Sequence, residues 1–349
     1  MLAVGSKAVG AGELVPPPSE SPLTWRQIVE PVEPFLRAVA ELLADQVEEF
    51  EPEIAAYARQ ALTSQGKQLR PALIALSAEA AGGPNEGLVK VASIIEMVHL
   101  ATLVHDDVMD EAGIRRRRPT LAAQCGNSIS VLVGDCLFAQ AVRLAASFPT
   151  PEVCRAVAAT TRVVCEGEIL QNHYCWQFGL SRREYLRVLR MKTAELFALS
   201  CDLGAGLSGA GASQRAALRA YGLALGTAYQ VYDDCLDLFG SEAAAGKSLG
   251  TDLAGGKVTL PIILAFERAT AAERKGLAEL LRRWEPRRLP RLLATLARYA
   301  ALPDSRKLVH RLCRAARQAL AGLAANAGRD ALAVVAEFLA QQAGALGVK

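Results

Sequence analysis

From Thr24 onward apolar residues recur at helical spacing along almost the whole chain, and no stretch sustains the alternation of a strand. Val32, Phe35, Leu36, Val39, Leu42 and Leu43 open the pattern; Leu308, Leu312, Leu320, Leu323, Val335, Phe338 and Leu339 close it. Breaks at Gly82-Gly83-Pro84, Gly126-Asn127, Pro149 to Pro151, Gly209 to Gly211, Gly246 to Gly256 and Pro303 divide it into long helices. Segments 85–110 and 211–240 are apolar on more than one face, as helices in the middle of a large bundle are. The expectation is all-α: one large helical domain over residues 23–349 around a central cavity, with Thr24 as its first N-cap. Residues 1–22, rich in Gly, Ser and Pro, read as a disordered leader.

Two of these apolar segments end in the same acidic pentapeptide, Asp106-Asp107-Val108-Met109-Asp110 and Asp233-Asp234-Cys235-Leu236-Asp237. At about 100° per residue the first and fifth positions lie about 40° apart on a helix, with the second beside them, so three carboxylates share a face. Holding them about 5 Å apart costs on the order of 3 kcal/mol per pair at an effective dielectric near 20, unless cations or water intervene. One copy alone is as readily a solvated helix end. Chance gives one such pentapeptide in about one chain in seventy of this composition, so two copies mark a site where both clusters face one cavity.

Composition excludes other classes. A net charge of +3 and the lack of basic runs interleaved with aromatics argue against nucleic acid. Eight cysteines without a C-x-x-C and only four histidines suggest neither a zinc site nor a disulfide framework, and fit free thiols in a reducing cytosol. No secretory signal is legible near the N-terminus, where Glu13 and Pro16 to Pro18 interrupt any apolar run. The stretch Val91 to Val104 contains Glu96 and His99 and reads as too short to span a bilayer, so a soluble, cytoplasmic protein without a transmembrane segment is expected.

Hard divalent ions suit such carboxylates, and Mg²⁺ takes one or two of them together with waters and substrate phosphate oxygens. Two opposed clusters can therefore grip several Mg²⁺ around one diphosphate. Direct cationic contacts would come from Lys67, Arg70, Arg115 to Arg118, Lys192, Lys247 and Lys257. Each alone reads as surface, and His99 alone as a satisfied core histidine; their joint presence points to a diphosphate site.

The ordered segments QGKQLRP, IEMVHLATLVHDDVMD, RRRRPT, VGDCLFAQA, GEILQ, MKTAELF, YQVYDDCLD and GKSLGTDLAGGKVTLP resemble the signature of trans-polyprenyl diphosphate synthases, over about residues 65–265. Around the first cluster the chain is most similar to long-chain, octaprenyl-type bacterial members. The resemblance implies the isoprenoid synthase fold and a prenyltransferase that condenses isopentenyl diphosphate head-to-tail onto an allylic diphosphate. It implies that Asp106, Asp107, Asp110, Asp233, Asp234 and Asp237 bind Mg²⁺, three ions per site. Lys67, Arg70, His99 and Arg116 would bind isopentenyl diphosphate. Arg115, Lys192, Lys247 and Lys257 would touch the allylic diphosphate, and Thr193, Gln171 and Gln230 would line the reacting centre. A homodimer is implied as well, with peripheral membrane contact for product release. Gln65 and Gln68 stand where the family commonly has Gly and Arg, and Arg117 where it has Gly, which bears on loop conformation.

In that family the helix just before the first cluster sets product length. Ala101 and Thr102 lie about one turn deeper along the helix than the first aspartate, without an aromatic floor, so a growing tail would pass toward Val98, Ile95 and Ile94, giving an octaprenyl-like product. The alternatives are a geranylgeranyl or farnesyl diphosphate synthase, a regulatory subunit of a heteromeric synthase, and a terpene cyclase. A cyclase normally lacks the Lys67, Arg70 and His99 set, and a regulatory subunit normally has eroded aspartate clusters.

Overall fold

In the computed structural model, residues 24–63, 66–116, 118–241 and 249–347 are described. The expected leader, Gln65, Arg117 and Lys247 lie outside them. The helices in chain order are α1 (Trp25–Val29), α2 (Glu33–Glu48), α3 (Pro52–Leu62), α4 (Leu69–Ala81), α5 (Gly87–Met109), α6 (Leu121–Cys125), α7 (Asn127–Ala146), α8 (Glu152–His173), α9 (Arg182–Leu189), α10 (Glu195–Leu207) and α11 (Ala212–Phe239). There follow α12 (Thr251–Ala254), α13 (Leu260–Arg268), α14 (Ala271–Arg282), α15 (Leu289–Arg298), α16 (Ala301–Ala319) and α17 (Ala327–Ala345). Among the described residues the strands are β1 (Ile114–Arg115) and β2 (Arg118–Pro119), paired antiparallel just after the first acidic cluster.

Local chemistry starts several of these helices where the sequence places it. Thr24, Ser181 and Thr270 each cap a helix, and Gln27, Glu184 and Glu273 three residues on return the bond, so both partners satisfy end groups of the first turn. The break expected at Pro303 lies earlier: α15 ends before Tyr299, Ala300 takes φ +49°, and Pro303 sits in the first turn of α16, where its missing N–H costs nothing.

The centre of the bundle is α5, α10 and α11, with α4 against α10, α7 against α5 and α16 against α11. Leu100, Ala101, Leu218, Tyr221, Leu225, Ala228 and Val231 are almost wholly buried, each larger side chain contributing about 1.5–3 kcal/mol. The apolar stretch read as too short lies within α5, and α5 and α7 are both long and apolar enough by length and composition to cross a membrane. Two-thirds of the apolar window of α5 is buried inside the protein, so its hydropathy reflects a core position. On α7, by contrast, Val131, Leu132 and Val142 face outward.

α5 and α11 end in the two acidic clusters, so these helices set the position of the site.

Candidate active site

The first cluster does not present three equivalent carboxylates. Asp107 is turned inward, 6% exposed, and accepts a hydrogen bond from Arg115 Nε at 2.7 Å. Burial raises its pKa against the opposing pull of Arg115. Asp106 stays half-buried and Asp110, the C-cap of α5, is exposed. The expected shared face is thus narrowed because Arg115, on β1, draws the middle carboxylate away.

The second cluster divides in the same way. Asp234 is 5% exposed and both its oxygens are engaged, Oδ2 by the Tyr185 hydroxyl at 2.6 Å and Oδ1 by Gln230 Nε2 at 2.9 Å. Burial, and then the charge of Asp252, push its pKa up to about 7. Asp237 accepts from Thr251 Oγ1 at 2.9 Å and from the Asp252 amide at 3.2 Å, and so fastens the start of α12. Asp233 is half-buried and close enough to Arg116 for their charges to interact.

Two lysines pair the first cluster with acids outside it. Lys257 Nζ lies 2.8 Å from Asp110 Oδ2 and 3.7 Å from Asp252 Oδ1. Lys192 Nζ lies 2.5 Å from Glu168 Oε2 and 3.9 Å from Asp106 Oδ2. Burial alone would lower both ammonium pKa values, but the surrounding carboxylates outweigh it and both are raised, so each lysine is charged. A cavity of about 60 Å³ between them is lined by Gln171, Lys192, Gln230, Asp234, Asp252 and Lys257, among others. Lys192 and Thr193 occupy a π-helical turn, Arg190–Ala194, inserted between α9 and α10. Thr193 Oγ1 donates to Gln230 Oε1 at 2.9 Å, so Thr193, Gln230, Asp234 and Tyr185 form one hydrogen-bonded chain.

Of the expected isopentenyl diphosphate residues, Arg70, His99 and Arg116 lie close enough for their charges to interact. Arg70 stacks over Phe197, 4.9 Å from the ring centroid, with its Nε buried and unpaired. Gly66 admits the Arg116 guanidinium, which would lie 2.3 Å from a Cβ there. Trp25 Nε1 donates to the Lys67 carbonyl at 3.0 Å, so α1 steadies this loop. Arg116 itself takes φ +49° and Gln68 φ +47°, the left-handed region that glycine adopts more readily. His99 is held neutral: burial, then the charges of Arg70, Arg116 and Arg115, put its pKa well below the usual histidine value.

Glu96, 3% exposed, lies one turn before His99 and faces the charges of Arg70 and Arg116. Burial raises its pKa and the two arginines oppose that. Glu96, Glu168, Tyr185 and Asp252 were not singled out from the sequence. Glu96, Glu168 and Asp252 all stand inside the quoted motifs, whereas Tyr185 carries no local signal.

The donor set fits divalent cations shared with a substrate. Among the described residues no three His, Cys, Asp or Glu side chains converge to hold an ion unaided. Asp106 and Asp233 are nonetheless only half-buried and Asp110 is exposed, and Mg²⁺ takes only one or two carboxylates when phosphate oxygens complete its shell. Oδ1 of Asp107 and both oxygens of Asp234 and of Asp237 already accept from protein donors.

Of the chain-length residues, Ala101 is fully buried beside Val104, Val133 and Leu137, and Thr102 Oγ1 donates to the His99 carbonyl at 2.7 Å. Val98 lines an apolar cavity of about 600 Å³ bounded by Phe138, Ala139 and Val142 of α7 and Val157, Ala158 and Thr161 of α8. Ile94 and Ile95 pack with Val98 in the same buried core cluster but do not line that cavity.

Residues 51–296 match the polyprenyl synthetase family model. The chain is similar to a short chain isoprenyl diphosphate synthase of Methanothermobacter thermautotrophicus, 31% identical over 321 residues, 90% of this chain and 99% of that protein. Its fold is similar to a Caulobacter crescentus polyprenyl synthase solved with calcium and isoprenyl diphosphate, with TM-score 0.87, 34% identity and coverage of 92% and 98%. A Rhodobacter capsulatus decaprenyl diphosphate synthase gives TM-score 0.85, 33% identity and coverage of 91% and 99%.

Proposed function

We propose, from the premise that this chain belongs to the polyprenyl synthetase family and is a trans-prenyl diphosphate synthase, that it is Mg²⁺-dependent and makes a long-chain product, octaprenyl or close to it. The observation that carries the reading is one cavity lined by Asp234 of the second cluster together with Lys192 and Lys257, the two lysines that pair with Asp106 and Asp110 of the first, while the charges of Arg70 and Arg116 act on His99. A divalent metal, when bound by Asp106, Asp110 and Asp233, supplies Lewis-acid neutralisation of the allylic diphosphate.

The chain's own residues account for the rest. Lys192, Lys257 and Arg115 face charge that grows on the departing diphosphate as the allylic C–O bond breaks. Lys67, Arg70, His99 and Arg116 hold isopentenyl diphosphate so that its double bond attacks the allylic cation and forms the new C–C bond. The proton then lost from isopentenyl diphosphate passes to the leaving diphosphate and a new double bond remains. Thr193, Gln230 and Gln171 border the reacting carbons, and no protein nucleophile is needed.

The long product is supported by the small side chains of Ala101 and Thr102 and by the apolar space that begins at Val98. The named relatives run from short-chain to decaprenyl enzymes, so length has to come from this chain's own residues. A second copy as partner is supported by the outward Val131, Leu132 and Val142 of α7 and Ile169 of α8. The test is incubation with farnesyl diphosphate, labelled isopentenyl diphosphate and Mg²⁺, with chromatographic sizing. Products near eight units are expected, and none longer than geranylgeranyl would overturn the long-chain reading.

A further inference from the structure

Glu168 is the acid nearest to Lys192. At 2.5 Å against 3.9 Å for Asp106, with the two carboxylates similarly buried at 14% and 18% exposed, Glu168 is the partner within hydrogen-bond reach of the ammonium, while Asp106 acts on it through charge alone. The contact is built into the backbone. A Cβ on Gly167 would lie 2.5 Å from the Lys192 amide nitrogen and 2.8 Å from Met191 Cβ, so only glycine lets α8 touch the π-helical turn at this point. That turn advances the register by one residue and aims Lys192 across the cavity. Asp106, in contrast, arrives from α5.

We propose that Glu168 is a positioning residue for Lys192, holding the ammonium off Asp106 and in the cavity where it meets the diphosphate. The inference rests on the function proposed above. Without the Glu168 charge, Lys192 has Asp106 as its nearest carboxylate and competes there with a divalent cation. With it, Asp106 stays available while Lys192 remains charged and placed.

Glu168→Gln keeps length, volume and a carbonyl acceptor and removes the charge. Binding of Mn²⁺ together with inorganic pyrophosphate, read from loss of the free-ion paramagnetic resonance signal, is expected to weaken roughly 10- to 100-fold, the scale on which an outer partner supports a metal-binding group. Turnover should fall in parallel. In a Lys192→Met background the same change should add nothing to either readout, because its effect runs through the ammonium. Glu168→Asp, which keeps the charge on a shorter arm, should restore part of the binding. Equal losses in the two backgrounds, or wild-type binding by a helical Glu168→Gln protein, would overturn the assignment. If Glu168→Gln does not fold, Glu168→Asp compared in the two backgrounds decides by the same criterion. A wild type that binds Mn²⁺ and pyrophosphate but forms no prenyl product would count against the proposed function and leave the Glu168 comparison intact.

Discussion

Replacing Ala101 by Phe should shorten the product sharply, and the helix supplies the scale. At 1.5 Å per residue Ala101 lies about 7.5 Å below Asp106 along α5 and Val98 about 12 Å below. One prenyl unit, four carbon–carbon bonds of about 1.5 Å in zigzag, spans roughly 5 Å. A ring at position 101 therefore meets the tail after about two units, and one at Val98 after two to three. Burial at about 0.8 kcal/mol per methylene favours each added unit by about 4 kcal/mol, so growth continues while apolar space remains and stops where it is blocked. Ala101 is fully buried against Val104, Val133 and Leu137, and the added ring costs about 1–3 kcal/mol by overpacking. Circular dichroism and a melting curve should therefore accompany product sizing. Farnesyl to geranylgeranyl products are expected from Ala101→Phe and slightly longer ones from Val98→Phe. Ile94→Ala, within the core, should cost about 2–4 kcal/mol of stability without shortening the product. An unchanged length in a folded Ala101→Phe protein would refute the reasoning and place the floor elsewhere.

Asp106→Ala and Asp233→Ala should each lower kcat by about two orders of magnitude or more with helicity intact, as steady-state assays would read. Arg70→Ala should raise KM for isopentenyl diphosphate more than for the allylic primer, since a charge-assisted contact contributes about 1.5–3 kcal/mol; a larger effect on the primer would reverse the assignment of the two pockets. Tyr185→Phe removes the 2.6 Å donor to buried Asp234 and should destabilise by about 1.5–3 kcal/mol in urea unfolding, with turnover reduced as well. His99 is neutral in the fold with a depressed pKa, so below the unfolded value near 6.5 the unfolded chain binds the extra proton and stability falls with falling pH. At pH 5.5 that loss is about 1.4 kcal/mol, and His99→Gln should lack it when urea midpoints at pH 8 and 5.5 are compared.

The helical bundle was legible because apolar periodicity persists through nearly every segment and breaks at glycine and proline. Pro303 misled because a first-turn proline resembles a break in sequence and is not one in structure. The acidic clusters were legible as a pair, but helix angles alone place three carboxylates on a face and do not foresee that Arg115, Tyr185 and Thr251, from other elements, draw Asp107, Asp234 and Asp237 inward. Tyr185 reaches Asp234 across 49 positions, and Lys257 reaches Asp110 across 147, distances at which no local pattern carries information. The sequence carries a tail from Ala101 toward Val98, Ile95 and Ile94. In the fold all three pack into one core cluster, and of them only Val98 also borders the apolar space between α7 and α8.

The central claim is that the two clusters work through a divalent metal on a diphosphate, and that this chain does so alone. Incorporation of labelled isopentenyl diphosphate onto farnesyl diphosphate by the purified chain, with Mg²⁺ and with excess EDTA, tests it most directly. Sustained incorporation with Mg²⁺ that EDTA abolishes is the predicted result. Full activity in EDTA, or none without a second protein, would contradict it.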